Sequence, residues 1–347
     1  MYTRRYPQPT GPSTNLNHPS ATGDPDTVPP HDSSGALGRV FDRLAAERSA
    51  VLAGLSGEET ALLAGYGIHV AGDRADLQDD VDLLSLQGVR DALGAEAAAW
   101  LSDLDVRAHI ASTNTTLLER ASRERIAGCV LTAEVQTGGR GRRGRQWLSP
   151  FGRNLAVSLG FATGRPLAEI GALSLVVGVA LRRALVEAGL SGVELKWPND
   201  VLLDGRKLAG ILIELVRATS PVEVVVGIGV NVGCAGTVGA RIDQPVADVA
   251  EQLERPSRTE LLAGIVNHVV AGCREFDRRG FSAFRNEWEA AHRHQGRPVV
   301  VTLPAAGGVA GQTVAGTALG IARDGSLKVE TVDGLREFNG GEVSVRE

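Results

Sequence analysis

A mixed α/β (α+β) domain with flanking helices, followed by a small all-β module, is the architecture the sequence predicts. Three observations carry it. Runs rich in apolar and β-branched residues recur through the middle of the chain, as CVLTAEVQ, NLAVSLGF, GVELKWP, KLAGILIELV and VEVVVGIGVNVG, and each reads as a strand. Between the second and third of them stands AEIGALSLVVGVALRRALVEAG, which is too long for a strand and apolar along one helical face, so it reads as a buried helix. The C-terminal stretch then gives RPVVVTL, TVAGTALGIA, SLKVET and LREFNGGEVSVR, four short strands parted by Gly, Asp and Ser turns.

The elements follow in order. Residues 1–33 are rich in Pro, Ser, Thr, Asn and Asp with little to bury, the composition of a disordered tail. Residues 34–84 form a short acidic helical segment: ALGRVFDRLAAERSAVLAGL has helical apolar spacing, and Ser56 with Glu59 makes a capping box. The aspartates of DRADLQDDVD link it to a helix near LSLQGVRDALG. The α/β domain is expected over 85–295 and the β module over 296–347. A net charge of −5 over 347 residues excludes a protein built throughout to bind polyanions, so any basic cluster is a local device. Cys129, Cys234 and Cys273 lie far apart in no metal spacing, which suits a reduced chain without disulfides. No apolar run approaches the roughly 20 residues needed to span a bilayer, and a cytoplasmic protein with no membrane partner is expected.

The local exception is GGRGRRGRQW, with four arginines between Gly139 and Arg145. Gly139, Gly141 and Gly144 satisfy G-x-G-x-x-G, but QWLSPFGRN follows where a dinucleotide fold needs an amphipathic helix, and no acidic residue stands about 20 positions on to hold a ribose. Glycines beside arginines instead allow a backbone to approach a ligand closely while guanidinium groups pair with phosphate or carboxylate.

GRGRRGRQW, KWPNDV at 196–201, KLAGILIE at 207–214 and GIGVNV at 227–232 stand in the order and spacing found in the biotin protein ligases, as do STN at 112–114, AEVQ at 133–136 and GGEVSVR at 340–346. The chain resembles that family over about residues 85–347. The resemblance implies an ATP-dependent ligase that joins biotin to ATP as biotinyl-5′-AMP and passes the biotinyl group to one lysine of a biotin carboxyl carrier protein, with Mg²⁺ beside the phosphates and an SH3-like barrel at the C-terminus. Two anions must meet in the first step, so fixed cations are needed. Lys196, Lys207 and Arg140 are the candidates, and Asp200 either orients a lysine or helps place Mg²⁺, while Asn199 and Asp200 also read as a turn.

By the same resemblance Ser112, Thr113, Asn114, Gln136, Arg140, Gly141, Arg142 and Lys196 contact biotin, and Arg142, Asn199, Lys207, Asn231 and Arg346 contact ATP. Read alone, STN is also an N-cap for TTLLERAS, and Trp147 is either a hinge or a core residue. Asn231 and Gly229 end an apolar strand, where α/β clefts tend to lie. The family's arginine loop is disordered without ligand and folds over the adenylate, a labile anhydride that gains from the exclusion of water. Family members with an N-terminal winged helix also repress transcription. Here 34–84 is short and carries Asp73, Asp76, Asp79, Asp80 and Asp82, so it reads as a remnant of such a domain or an unrelated cap, and DNA is not expected as a partner. Competing readings are a biotin-responsive transcriptional repressor or bifunctional ligase/repressor, and a lipoate ligase-like enzyme. The resemblance admits a homodimer without requiring one.

Overall fold

The computed structural model describes residues 35–234, 236, 244–303, 312–339 and the backbone of 344–346. The tail expected over 1–33 lies outside the described residues. The described chain opens with helix α1 (Ala36–Glu47), strand β1 (Ser49–Val51), helix α2 (Gly57–Gly65) and strands β2 (His69–Ala71) and β3 (Arg74–Asp76). Ser56 caps α2: its hydroxyl accepts from Glu59 N at 3.2 Å, and its own N–H donates to the Glu59 carboxylate at 2.8 Å. The strands form an antiparallel sheet in the order β1-β3-β2, where the sequence predicts helix and linker alone. Strands of three residues are too short to display an alternating pattern, and they close because Ala50, Ala75 and Leu77 share an apolar cluster with Leu37, Phe41 and Leu44 of α1. That cluster also takes in Val135 and Phe151 of the larger domain, and Phe41 stacks on Phe151 with ring centroids 5.8 Å apart.

Helices α3 (Leu86–Ala92) and α4 (Ala95–Trp100) lead into strand β4 (Asp103–Ile110), helix α5 (Thr113–Ala121), strands β5 (Cys129–Gln136) and β6 (Asn154–Thr163), and helix α6 (Leu173–Glu187). Strands β7 (Val193–Lys196), β8 (Asp200–Leu203), β9 (Arg206–Arg217) and β10 (Val222–Asn231) follow, then helices α7 (Arg258–Arg279) and α8 (Arg285–Ala291). The strands make a seven-stranded sheet in the order β4-β5-β6-β10-β9-β8-β7. It is mixed, since β4 runs parallel to β5 and the other neighbours are antiparallel.

Strand β10 shows how the two faces divide. Val224, Val226 and Val230 join the core under α6 and α7, whereas Gly227, Gly229 and Asn231, one residue out of phase, line a cleft on the opposite face. Strand β9 repeats the scheme, with Ile211 in the core and Gly210 and Leu212 on the cleft. Five further strands, β11 (Pro298–Thr302), β12 (Thr313–Ile321), β13 (Leu327–Thr331), β14 (Gly334–Phe338) and β15 (Ser344–Arg346), form an antiparallel sheet ordered β14-β13-β12-β11-β15. The run LREFNGGEVSVR is thus two strands where the sequence predicts one. Val299, Val301, Ala318 and Leu327 belong to the same core as the central sheet.

Candidate functional site

Helix α5 starts beside the cleft because Ser112 caps it, its hydroxyl accepting from Thr115 N at 3.4 Å. The cap leaves Thr113 and Asn114 buried and bound into a chain of polar contacts. Gln136 Oε1, at the end of β5, accepts from Thr113 N at 2.9 Å and from the Thr113 hydroxyl at 3.2 Å. Beneath them the Ser158 hydroxyl lies 2.7 Å from Thr113 Oγ1 and 2.5 Å from Asn114 Oδ1, and with one proton it donates to one of them at a time. A Cβ at Gly227 would collide with the Asn114 amide, so glycine there is required by close approach.

The arginine loop runs from β5 across the cleft. Its backbone pairs Arg140 with Gln146 around a turn in which Arg143 and Gly144 have φ of 59° and 71°. Two successive left-handed residues close tight hairpins, and glycine at the second lowers the cost. Arg140 donates to both carboxylate oxygens of Glu214 at 3.0 and 3.1 Å, and Arg142 donates to Asn199 Oδ1 at 3.0 Å. These contacts tie the loop to strand β9 and to the KWPND turn. Burial, and then the neighbouring Arg143, press the Arg142 guanidinium below the usual arginine range. It remains a cation that gains from an anionic partner.

Trp147 ends the loop with its indole laid on the sheet. A Cβ at Gly229 would come within 2.5 Å of that ring and one at Gly210 within 3.3 Å, so the two glycines are the floor on which it rests. Lys207 Nζ sits 5.9 Å from the ring centroid and 2.8 Å from Asp200 Oδ1. The turn KWPND sets Lys196 and Asp200 opposite each other at the end of the β7-β8 hairpin. That turn is held from two sides: Trp197 Nε1 donates to Gly325 O of the C-terminal module at 3.0 Å, and the Ser174 hydroxyl of α6 donates to Pro198 O at 3.1 Å. Asn199 donates to Ile211 O at 2.7 Å, so Asn199 and Asp200 are both turn residues and cleft residues. Asn231 donates to Lys207 O and Ala247 O, which fixes the lysine's backbone.

The cleft has a volume of ≈480 Å³. Ser112, Thr113, Asn114, Gln136, Arg140, Gly141, Arg142, Lys196, Asn199, Asp200, Lys207 and Asn231 all line it, so segments more than a hundred positions apart converge on one place. Arg346 lies on β15, and its side chain is outside the described residues. Sequence reasoning passed over Ser158 and Glu214. Ser158 had a legible signal, since it shares a strand face with Asn154 in an otherwise apolar run. Glu214 closes KLAGILIE, but its partners come from elsewhere in the chain. Chemically, the lining combines neutral polar and apolar groups, among them Ser112, Thr113, Asn114, Gln136 and Leu212, with the cations Lys196, Lys207, Arg140 and Arg142. Such a lining suits a ligand that has both an uncharged part and an anionic part.

Comparison with known proteins agrees. Residues 106–231 match the Biotin/lipoate A/B protein ligase family and residues 294–346 the Biotin protein ligase C terminal domain. The chain is 33% identical over 279 residues to the bifunctional ligase/repressor BirA of Escherichia coli, covering 80% of this chain and 83% of that one. It is 42% identical over 165 residues to the biotin–[acetyl-CoA-carboxylase] ligase of Mycobacterium tuberculosis, 46% of this chain and 59% of the relative. Among solved structures, the biotin protein ligase from Aquifex aeolicus in complex with biotin and ATP superposes with a TM-score of 0.54 at 28% identity, over 72% of this chain and 97% of the other. With the cleft, the loop and both matched segments in one chain, the protein belongs to the biotin protein ligase family.

Proposed function

We infer that the protein is an ATP-dependent biotin–[biotin carboxyl-carrier protein] ligase. The observation that carries this reading is a single cleft lined both by the cations Lys196, Lys207, Arg140 and Arg142 and by the neutral Ser112, Thr113, Asn114 and Gln136. In the first step a biotin carboxylate oxygen attacks the α-phosphorus of ATP, the bond to the β-phosphate oxygen breaks, and pyrophosphate leaves. Both reactants are anions, and Lys207, held by Asp200 and Trp147, is positioned to offset the charge that builds on the phosphate. Arg140 and Arg142 cover the resulting mixed anhydride. In the second step a carrier lysine amine attacks the acyl carbon, AMP leaves, and the amine gives up a proton.

The polar chain Ser158, Thr113, Asn114 and Gln136 suits the ureido end of biotin, with Gly141 and Ser112 at its rim, while Asn199 and Asn231 shape the nucleotide end. Among the described residues no group of three or more His, Cys, Asp and Glu side chains could hold a metal alone. Asp200, a partly exposed carboxylate at the cationic end, fits an Mg²⁺ that takes most of its ligands from phosphate oxygens, and such an ion would offset phosphate charge. The buried thiols of Cys129, Cys234 and Cys273 suit a reducing cytoplasm, and among the described residues no helix is long and apolar enough to cross a membrane.

A repressor role is not part of this reading. The N-terminal segment instead carries Asp73, Asp76, Asp79, Asp80 and Asp82, where a DNA-reading surface presents lysine or arginine to phosphates. The test is incubation with ATP, labelled biotin and a carrier domain. Labelled carrier is expected, with no label from lipoate in biotin's place and no specific shift of promoter DNA. Absence of carrier label with release of pyrophosphate at background level would overturn the ligase reading.

A further inference from the structure

We propose that Ser158 is a positioning residue, out of contact with the ligand, that keeps the hydroxyl proton of Thr113 turned away from the cleft. This wall then accepts from a ligand N–H and discriminates against an oxygen in its place. The identity of that ligand rests on the ligase reading. Ser158 is 0% exposed on β6 and stands in register with Gly227 of β10, behind the wall that Thr113, Asn114 and Gln136 present to the cleft. The missing side chain at Gly227 is what admits the Asn114 amide. That amide has one orientation, because its Nδ2 donates to Glu214 Oε2 at 2.8 Å and to Leu212 O at 3.3 Å. Its Oδ1 therefore faces Ser158 at 2.5 Å. A carbonyl oxygen has no proton, so the serine is the donor.

The hydroxyls of Thr113 and Ser158 hold two protons for three oxygen–oxygen contacts: Thr113 to Gln136 at 3.2 Å, Thr113 to Ser158 at 2.7 Å and Ser158 to Asn114 at 2.5 Å. With the serine proton on Asn114, the threonine proton goes to Ser158 or to Gln136. In either case it is used within the network, and Thr113 Oγ1 offers the cleft a lone pair. A freely rotating hydroxyl would serve a donor or an acceptor alike, whereas this one serves a donor. The N–H groups of a ureido ring meet that demand, and a ring oxygen there would set lone pair against lone pair.

The test compares biotin with the two cyclic carbamate analogues in which one or the other ring N–H is replaced by oxygen, by calorimetry without ATP and by pyrophosphate release with it. The parent is expected to bind at least one carbamate roughly 10- to 100-fold more weakly than biotin. In Ser158→Ala the threonine hydroxyl is free to turn its proton to the cleft. Biotin affinity should then fall about tenfold while that carbamate holds or gains, so that the preference shrinks to about threefold or less. A merely structural role would weaken both ligands by one factor and leave their ratio unchanged. Ser158→Cys, which keeps a weaker donor at nearly the same size, should give an intermediate ratio. Thr113→Val removes the hydroxyl through which Ser158 acts, and adding Ser158→Ala to it should leave the ratio where Thr113→Val alone puts it. An unchanged ratio in both Ser158 variants, a further change of ratio in the double variant, or a parent with no preference between the ligands would overturn the proposal. A parent that prefers biotin yet releases no pyrophosphate would instead count against the ligase reading, and the calorimetric ratios would still decide the role of Ser158.

Discussion

At the scale of the residue, Lys207 is held at both its ammonium and its backbone. Asp200 holds its ammonium at 2.8 Å, the Trp147 ring lies beside it, and Asn231 fixes its carbonyl. A cation placed in advance pays no reorganisation cost when charge develops. Lys207→Ala, and separately Lys196→Ala, are expected to lower pyrophosphate release at saturating biotin by a factor of about 10² or more, with an unchanged unfolding temperature. Near-normal release would remove that lysine from the chemistry. Gly229→Ala makes a sterner test of the floor, because the new methyl would meet the indole. Trp147 must then leave the sheet, and the expected sign is loss of adenylate retention with the fold preserved. These residues were legible in the sequence because each stands in a motif whose chemistry has a residue type to match. Glu214 was not, because its meaning depends on which strands lie side by side, and Ser158 was legible only as a polar residue on the face of Asn154, its partners Thr113 and Asn114 being set by the fold.

At the scale of the element, the arginine loop is a hairpin with two ionic or polar anchors and an aromatic hinge. Its anchors, Arg140 to Glu214 and Arg142 to Asn199, are few and partly exposed, so a folded loop can still open. Arg142→Ala removes one anchor and, on the proposed function, one cation facing the adenylate. A charge-assisted hydrogen bond is worth about 1.5 to 3 kcal/mol, a factor of roughly 10 to 150 in affinity. The measurement is the lifetime of enzyme-bound adenylate, and an unchanged lifetime would show that this arginine is no part of the clamp. The elements that sequence patterns caught were those with a buried face, as in β10, whose alternation of valine with glycine follows the two faces of the sheet. Strand β4 was passed over although DLDVRAHI alternates polar and apolar residues, the pattern of a strand with one buried face, and β8 escaped because DVLL is four residues long between two turns. Four residues carry too little local signal to outweigh their neighbours.

At the scale of the whole molecule, the boundary expected at residues 84 and 85 runs through a buried charge network. Arg258, at the start of α7, is 1% exposed and donates to Glu134 Oε2 and to the carbonyl oxygens of Asp82 and Asn154. The Asp82 carboxylate accepts from Arg258 N at 2.7 Å, and Glu134 Oε1 accepts from Leu84 N at 2.6 Å. A chain beginning at residue 85 keeps the Arg258–Glu134 pair but loses the acceptors on Asp82 and the donor on Leu84, and a buried polar group left unsatisfied costs about 1 to 3 kcal/mol. Val135 and Phe151, 0% and 1% exposed under the N-terminal segment, would also meet water, at roughly 1.5 to 3 kcal/mol each. Against a typical total stability of about 5 to 15 kcal/mol, these losses are large. The acidic cap therefore serves as part of the enzyme's core although every cleft residue lies beyond it. A chain beginning at residue 85 is expected to unfold far below the parent, or to aggregate, whereas one beginning at residue 35 should keep both the unfolding temperature and carrier labelling. Thermal denaturation of the two shortened chains decides it. An equal unfolding temperature for both would mean that the cap contributes nothing to the core it covers, and that the network around Arg258 relaxes onto water without cost.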